Sequence, residues 1–356
     1  MDISEKRILI IKQSSLGDVI HTLPVAHAIK RTYPSCHIGW VVEQGYAELL
    51  ENDPAIDTVY PIHIPATSDP LAKKSVYWDA FLATIRTLLQ LRKACKRIPY
   101  DISLDLHASF RSGVLAVMNP GGRRVGFKNA KELNTFFQHQ HVRVADDVQH
   151  ALEKNIAFTD FLSCPVQEAD FHIFISPEAR DGAALFLRQH KIGEMQPVAY
   201  MNPTARWETK FWDVKRWAVL ADQLINSGVG VVFGGSRNDL PYIASITDHM
   251  VHKPVVAAGK QSLVQAVALI KAASVYVGLD TGPMHIAAMA KTPVVALFGP
   301  THPERVGPYK VEHRVLQAGN LDCLCCRRRS CTHMSCMKAI TVDQVYEAVT
   351  AFVEMK

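Results

Sequence analysis

The chain has 356 residues, 48% apolar and 21% charged, a balance that excludes a disordered or fibrous protein and, at about 100–200 residues per domain, calls for two domains. No apolar run approaches the roughly 18–20 residues needed to cross a bilayer, and Val294–Phe298 is typical of the runs present. The net charge of +5 hides an asymmetry: residues 71–131 carry +9 and the remainder −4.

The elements follow in chain order. Arg7–Ile11 reads as a strand, Asp18–Arg31 as a helix stopped near Pro34, and His37–Val42 and Thr58–Ile62 as further strands. A helix over Asp79–Arg97 sets Phe81, Leu82, Ile85, Leu88 and Leu89 on one face, and strand Ile102–Leu106 follows. Segment 163–182 interrupts the pattern with Cys164-Pro165, Ser176-Pro177 and Asp181-Gly182 around a short apolar run at 171–175. The alternation then restarts with strands at 198–201, 229–233, 255–257, 274–277 and 293–298 and helices at 214–226, 240–250, 263–272 and 282–290. Repeated βα units imply parallel sheets covered by helices, hence two Rossmann-like domains in tandem, 1–170 and 171–356. The final helix, Val342–Val353, could pack on either domain.

In such sheets ligands bind at the carboxyl ends of strands, where helix N-termini offer free N–H groups. The first strand ends in Lys12-Gln13-Ser14-Ser15-Leu16-Gly17-Asp18, where Asp18 serves either as a helix cap or as a carboxylate able to accept a proton from a sugar hydroxyl. In the second half, Val277-Gly278-Leu279-Asp280-Thr281-Gly282-Pro283-Met284-His285 runs from a buried strand into a helix with proline in its first turn. Amides near Thr281 and Gly282 suit a diphosphate, with His285 beside the same anion; a well-capped helix with a satisfied histidine is the plainer alternative. The loop Asn202-Pro203-Thr204-Ala205-Arg206-Trp207-Glu208-Thr209-Lys210 offers Lys210 as a phosphate partner, with Thr204 and Arg206 beside it. Asp239, after Gly234-Gly235-Ser236, either reaches ribose hydroxyls or caps the next helix. The chain has no GxGxxG after a strand and no Walker A motif, which argues against nicotinamide, flavin and P-loop enzymes.

The stretch Ile8-Leu9-Ile10-Ile11-Lys12-x-Ser14-Ser15-Leu16-Gly17-Asp18-Val19-Ile20-His21-Thr22-Leu23-Pro24, then Trp40-Val41-Val42-Glu43, Lys210-x-Trp212-x4-Trp217, Asp280-Thr281-Gly282-x-x-His285, Phe298-Gly299-Pro300-Thr301-x-Pro303 and Cys336-Met337-Lys338 together resemble the ADP-heptose:lipopolysaccharide heptosyltransferases of glycosyltransferase family 9. The likeness runs in order along nearly the whole chain. It implies a GT-B fold, two Rossmann-like domains facing across a cleft with the acceptor on the first and the sugar nucleotide on the second. It also implies inverting transfer of L-glycero-D-manno-heptose from ADP-heptose to the lipopolysaccharide inner core, Kdo-lipid A or heptosyl-Kdo-lipid A, without a metal or cofactor. Carried over, Asp18 is the general base. Lys210 with the amides at Thr281 and Gly282 stabilises departing ADP; Asp280 and His285 orient the donor, and Thr204 and Asp239 lie near the nucleotide. Ser15 and Gly17 fall on the acceptor side. The alternatives are a GT-B sugar-nucleotide epimerase or a family 9 transferase with another donor sugar.

The basic stretch includes Lys73, Lys74, Arg92, Lys93, Arg111, Arg124 and Lys131. It fits an anionic glycolipid acceptor at a membrane surface, with Arg111 and then Arg124 as the expected acceptor contacts, and it lacks a nucleic-acid-binding motif. The expected location is cytoplasmic, peripheral at the inner membrane face, because Ile8–Ile11 is closed off by Arg7 and Lys12 rather than extended into a signal sequence. Five of eight cysteines crowd into residues 323–336. Cys323, Cys326, Cys331 and Cys336 supply enough soft ligands for a structural metal, but their spacing matches no standard zinc motif, so the expectation is no metal and structural cysteines, reduced or disulfide-linked, with the metal site as the lesser alternative.

Overall fold

Six short runs in the first half, the first three rich in β-branched residues, form parallel strands: β1 (Arg7–Ile11), β2 (His37–Glu43), β3 (Thr58–Ile62), β4 (Ile102–Asp105), β5 (Arg123–Phe127) and β6 (Gln140–Val142). The structure is a computed structural model that describes residues 3–63, 74–192 and 196–354; Lys73 and the side chain of Lys74 lie outside the described residues. The strands are ordered β3-β2-β1-β4-β5-β6. Helices α1 (Leu16–Ile20), α2 (Leu23–Thr32), α3 (Glu48–Glu51), α4 (Lys74–Arg97), α5 (Phe110–Val117) and α6 (Ala151–Phe161) complete this unit, Met1–Phe174.

The second unit, Ile175–Lys356, opens with α7 (Pro177–Gln189) and continues through β7 (Val198–Asn202), α8 (Val214–Asn226), β8 (Gly230–Phe233), α9 (Leu240–Thr247), β9 (Val255–Val256), α10 (Leu263–Ala272), β10 (Val275–Leu279), α11 (Gly282–Met289), β11 (Val294–Phe298), α12 (Pro303–Val306), β12 (His313–Gln317), α13 (Ser335–Lys338) and α14 (Val342–Val353). Its order is β12-β11-β10-β7-β8-β9, again all parallel. Numbered from its own first strand, this is the order of the first sheet. Each sheet therefore has one switch point, between its first and fourth strands: β1 and β4, then β7 and β10.

Several expectations change on folding. The helix over 18–31 is two helices broken at His21-Thr22, because Pro24 has no N–H and its ring would strike the carbonyl of Ile20 in a continuous helix. Helix α4 buries Leu91 and Cys95, with Leu88 packed against them, on the sheet cluster of Leu9, Ile11 and Val41, whereas Phe81, Leu82, Ile85 and Leu89 are exposed. The run at 171–175 forms no strand. Helix α14 belongs to the second unit, where Val345 and Val349 join Trp217, Leu224 and Val277 in one core cluster.

Candidate active site

At the first switch point, Lys12 leaves β1 buried and sends Nζ across to the carbonyl of Leu106, just past β4, at 2.7 Å. The same ammonium stands 3.6 Å from Asp18 Oδ1. Asp18 Oδ2 accepts from the amide and hydroxyl of Ser15, each at 2.9 Å, so Ser15 is the N-cap of α1 and Asp18 its reciprocal partner three residues on. Burial favours neutral forms here and lowers the Lys12 pKa; at Asp18 burial is the largest single influence, but the charge of Lys12, the two Ser15 bonds and the His107 ring together overcome it and hold that carboxyl below its ordinary value. Asp18 is thus ionised at neutral pH with its side chain 44% exposed. Gly17 is buried beside it in the first turn. Indole Nε1 of Trp40 donates to the Lys12 carbonyl at 3.2 Å, which gives the Trp40–Glu43 motif a role in fixing the exit of β1.

Asp105, fully buried at the end of β4, organises the opposite side. Its Oδ1 accepts from the amides of His107 and Ala108 at 3.1 Å, and its Oδ2 accepts from Ser112 Oγ, Asn134 Nδ2 and Gln138 Nε2 at 2.9, 2.6 and 3.0 Å. The turn so fixed places His107 beside Lys12 and Asp18; burial, then the charge of Lys12, lowers its pKa. Arg111, exposed on the first turn of α5, adds to that effect.

The second switch point repeats the device. Lys210, from the loop after β7, donates to the carbonyl of Asp280, just past β10, at 2.8 Å and to its Oδ2 at 2.7 Å. In both units a lysine following the first strand binds a backbone carbonyl following the fourth. Lys210 Nζ also lies 4.9 Å from the Trp207 ring centroid, and Arg329 approaches that ring at 5.1 Å. Trp212 and Trp217, edge to face at 5.0 Å in the core, anchor the loop that carries the lysine. Thr281 is the extended N-cap of α11, no side chain caps the helix, and Pro283 sits in its first turn. The amide end beside Asp280 thus meets the requirement for an anion. Thr204, Asp280 and His285 are buried around it. Tyr200 and Tyr276, stacked at 6.2 Å, run up to Gly234 and Gly278, which leave room for their hydroxyls.

A family model described as glycosyltransferase family 9 (heptosyltransferase) matches residues 88–337, more than half of the chain and parts of both units. The chain belongs to glycosyltransferase family 9. It is 26% identical over 308 residues to the lipopolysaccharide core heptosyltransferase OpsX of Haemophilus influenzae, covering 85% of this chain and 82% of that one. The crystal structure of a family 9 glycosyltransferase from Veillonella parvula superposes with a TM-score of 0.83 at 24% identity, covering 100% and 99% of the two chains. The structure of the Escherichia coli ADP-heptose lipopolysaccharide heptosyltransferase II gives 0.76 at 22% identity, covering 98% and 99%. The two Rossmann-like units are the GT-B fold of these proteins.

Within this family 9 chain the remaining expected residues fall into three groups. Asp239 caps: its Oδ2 takes up the amide and hydroxyl of Ser236 at 2.6 Å. Arg124 lies in the amino-terminal half of β5, paired with Ser103, and its guanidinium is engaged by the Phe137 carbonyl and the His139 ring; the structure does not bring it to the switch point with Arg111. For the lesser alternative of a metal on Cys323, Cys326, Cys331 and Cys336, no three potential ligands among the described residues are grouped to hold an ion. All eight cysteines are free thiols, and Cys325 Sγ instead donates to the Thr301 carbonyl at 3.2 Å. Sequence reasoning missed Lys12 and Asp105 as site residues, although a lysine and an aspartate closing otherwise apolar strands are the available signal.

Proposed function

We propose that this family 9 glycosyltransferase transfers L-glycero-D-manno-heptose from ADP-heptose to the lipopolysaccharide inner core, with inversion and without a metal or cofactor, at the cytoplasmic membrane surface. The observation that carries the reading is the pair of lysine–aspartate ion pairs at the two switch points, one of them leaving an ionised carboxylate open to solvent. Names of the relatives support the sugar and acceptor: a lipopolysaccharide core heptosyltransferase and an ADP-heptose-using enzyme.

Asp18 takes the proton of the acceptor hydroxyl as that oxygen attacks the anomeric carbon; a carboxylate of low basicity suffices when proton removal is concerted with attack. The bond from the anomeric carbon to the diphosphate breaks on the opposite face, and ADP departs with the bonding pair. Lys210 and the amides at Thr281 and Gly282 take up the charge that develops on the diphosphate, a task a cation performs in metal-using transferases. Asp280 holds Lys210, His285 orients the donor beside the same helix end, and Thr204 and Asp239 border the nucleotide. Ser15, Gly17 and Arg111 face the acceptor.

The test is transfer from ADP-heptose to defined acceptors carrying zero, one or two heptoses, with and without EDTA. Product of inverted anomeric configuration, formed equally in EDTA and lost in Asp18→Ala while ADP still binds, is the expected result. Transfer only from UDP- or GDP-sugars would overturn the donor assignment.

A further inference from the structure

The segment of α4 that leads onto the sheet carries an apolar stripe that the fold does not use. At about 100° per residue, Trp78, Phe81, Leu82, Ile85 and Leu89 share one sector of the helix about 100° wide. The residues that pack on the sheet, Leu88, Leu91 and Cys95, lie on a different sector. The stripe is open: Trp78 is 63% and Leu89 62% exposed, and the rings of Trp78 and Phe81 stack on one another at 5.5 Å in solvent. Contiguous exposed apolar surface of this kind marks a site of association.

Its chemistry changes along the helix. From residue 92 the same sector continues as Arg92 and Lys96, flanked by Arg86, Lys93 and Arg97, against one acidic side chain, Asp79, near the start. A second small island lies on the same layer: α5 shares the core cluster of α4 through Leu115 and Ala116, and its first turn exposes Phe110 beside Arg111, with Leu133 and Phe136 also exposed. An apolar stripe ending in cations meets two demands of one surface, acyl chains for the rings and phosphates for the basic residues.

We infer that the outward stripe of α4 docks this protein on an anionic phospholipid bilayer. The inference deepens the proposed function by naming the element that meets the membrane, and its test uses neither donor nor acceptor, so each can fail alone. The full chain is mixed with phosphatidylcholine vesicles with and without phosphatidylglycerol, and with vesicles whose phosphatidylglycerol carries brominated acyl chains. Association about tenfold stronger with the anionic vesicles, weakened by salt, is expected. So is quenching of tryptophan fluorescence by the brominated lipid that Trp78→Phe removes. The triple substitution Phe81→Ser, Ile85→Ser and Leu89→Ser lowers binding about tenfold with ADP binding and Tm unchanged, because these side chains are exposed. Equal binding to both vesicle types, quenching that survives Trp78→Phe, or a dimer that the triple variant dissociates would each overturn the inference, the last by assigning the stripe to a second copy.

Discussion

Lys210 holds both the carbonyl and the carboxylate of Asp280, at 2.8 and 2.7 Å, and the two side chains are only 15% and 7% exposed. Removing the lysine strands a buried charge. Lys210→Met is expected to lower stability by about 2–4 kcal/mol, read as a denaturant midpoint, and transfer by about 10²–10³-fold. Adding Asp280→Asn recovers part of the stability and none of the transfer. A double variant that regains activity would remove Lys210 from the chemistry.

Asp18 supplies a prediction with a sign. Lys12 and the Ser15 donors hold its carboxyl below the ordinary value of 3.8 despite burial, so the active form is present above 3.8 and is lost only as pH falls through the lower folded value. The acid limb of the kcat/KM profile therefore carries no inflection from Asp18 between pH 5 and 7 (about the range of most assays). Asp18→Asn lowers kcat by about 10²–10⁴-fold at every pH.

The two arginines first grouped as acceptor contacts separate in their effects. Arg111→Ala raises the acceptor KM more than the ADP-heptose KM. Arg124→Ala frees the Phe137 carbonyl and His139 Nε2 while the backbone amide at 124 still donates to His139 Nδ1, so it lowers the stability of the first unit by about 1–2 kcal/mol and leaves both KM values near wild type. Steady-state kinetics with a melting curve for each variant distinguishes them.

A buried pair away from the site sets another pH dependence. His27 Nε2 meets Asp53 Oδ2 at 2.9 Å, its Nδ1 lies 2.8 Å from the Asp170 carbonyl, and its ring stacks on His172 at 4.1 Å. Burial opposes a charged ring, but the bonds and charges of Asp53 and Asp170 together raise His27 above 6.5; burial at Asp53 is likewise overcome by His27, the Ala55 amide and His172 together, which keeps that carboxyl below 3.8. The His27 contribution is complete below 6.5 and is lost as pH rises through the raised value. The Asp53 contribution is present above 3.8 and is lost as pH falls through the lowered one. Tm should decline on both sides of that window, and His27→Gln should flatten the alkaline decline.

Asp105→Ala removes the acceptor shared by five donors in the first unit; Ser112 Oγ, Asn134 Nδ2 and Gln138 Nε2 retain other acceptors, whereas the amides of His107 and Ala108 lose the carboxylate that fixes their turn. A loss of about 3 kcal/mol or more is expected, together with loosening of the turn that holds His107. ADP affinity, a property of the second unit in this reading, stays constant in calorimetry.

Legibility followed burial. Strands such as β1, β10 and β11 are continuous apolar runs, so their existence was written in composition. Strand β12 is half exposed and β6 has three residues, leaving no periodic signal to read. The stripe on α4 misled because periodicity reports a face and not what the face meets. Asp18, Lys210 and Asp280 were legible because they stand in polar, glycine- or proline-containing turns that follow apolar strands, and those turns carry the family resemblance. The bonds from Lys12 to Leu106 and from Asp105 to Gln138 span 94 and 33 residues, and no local pattern encodes a partner that distant.

The shared strand order has a practical consequence. With one lysine bridge built into each half, the proposed function makes the choice of sugar nucleotide a matter of loops 202–210, 234–239 and 280–285, and the choice of recipient a matter of loops 12–18 and 105–111. Specificity becomes modular, and a chimaera joined near residue 174 can inherit each preference from a different parent.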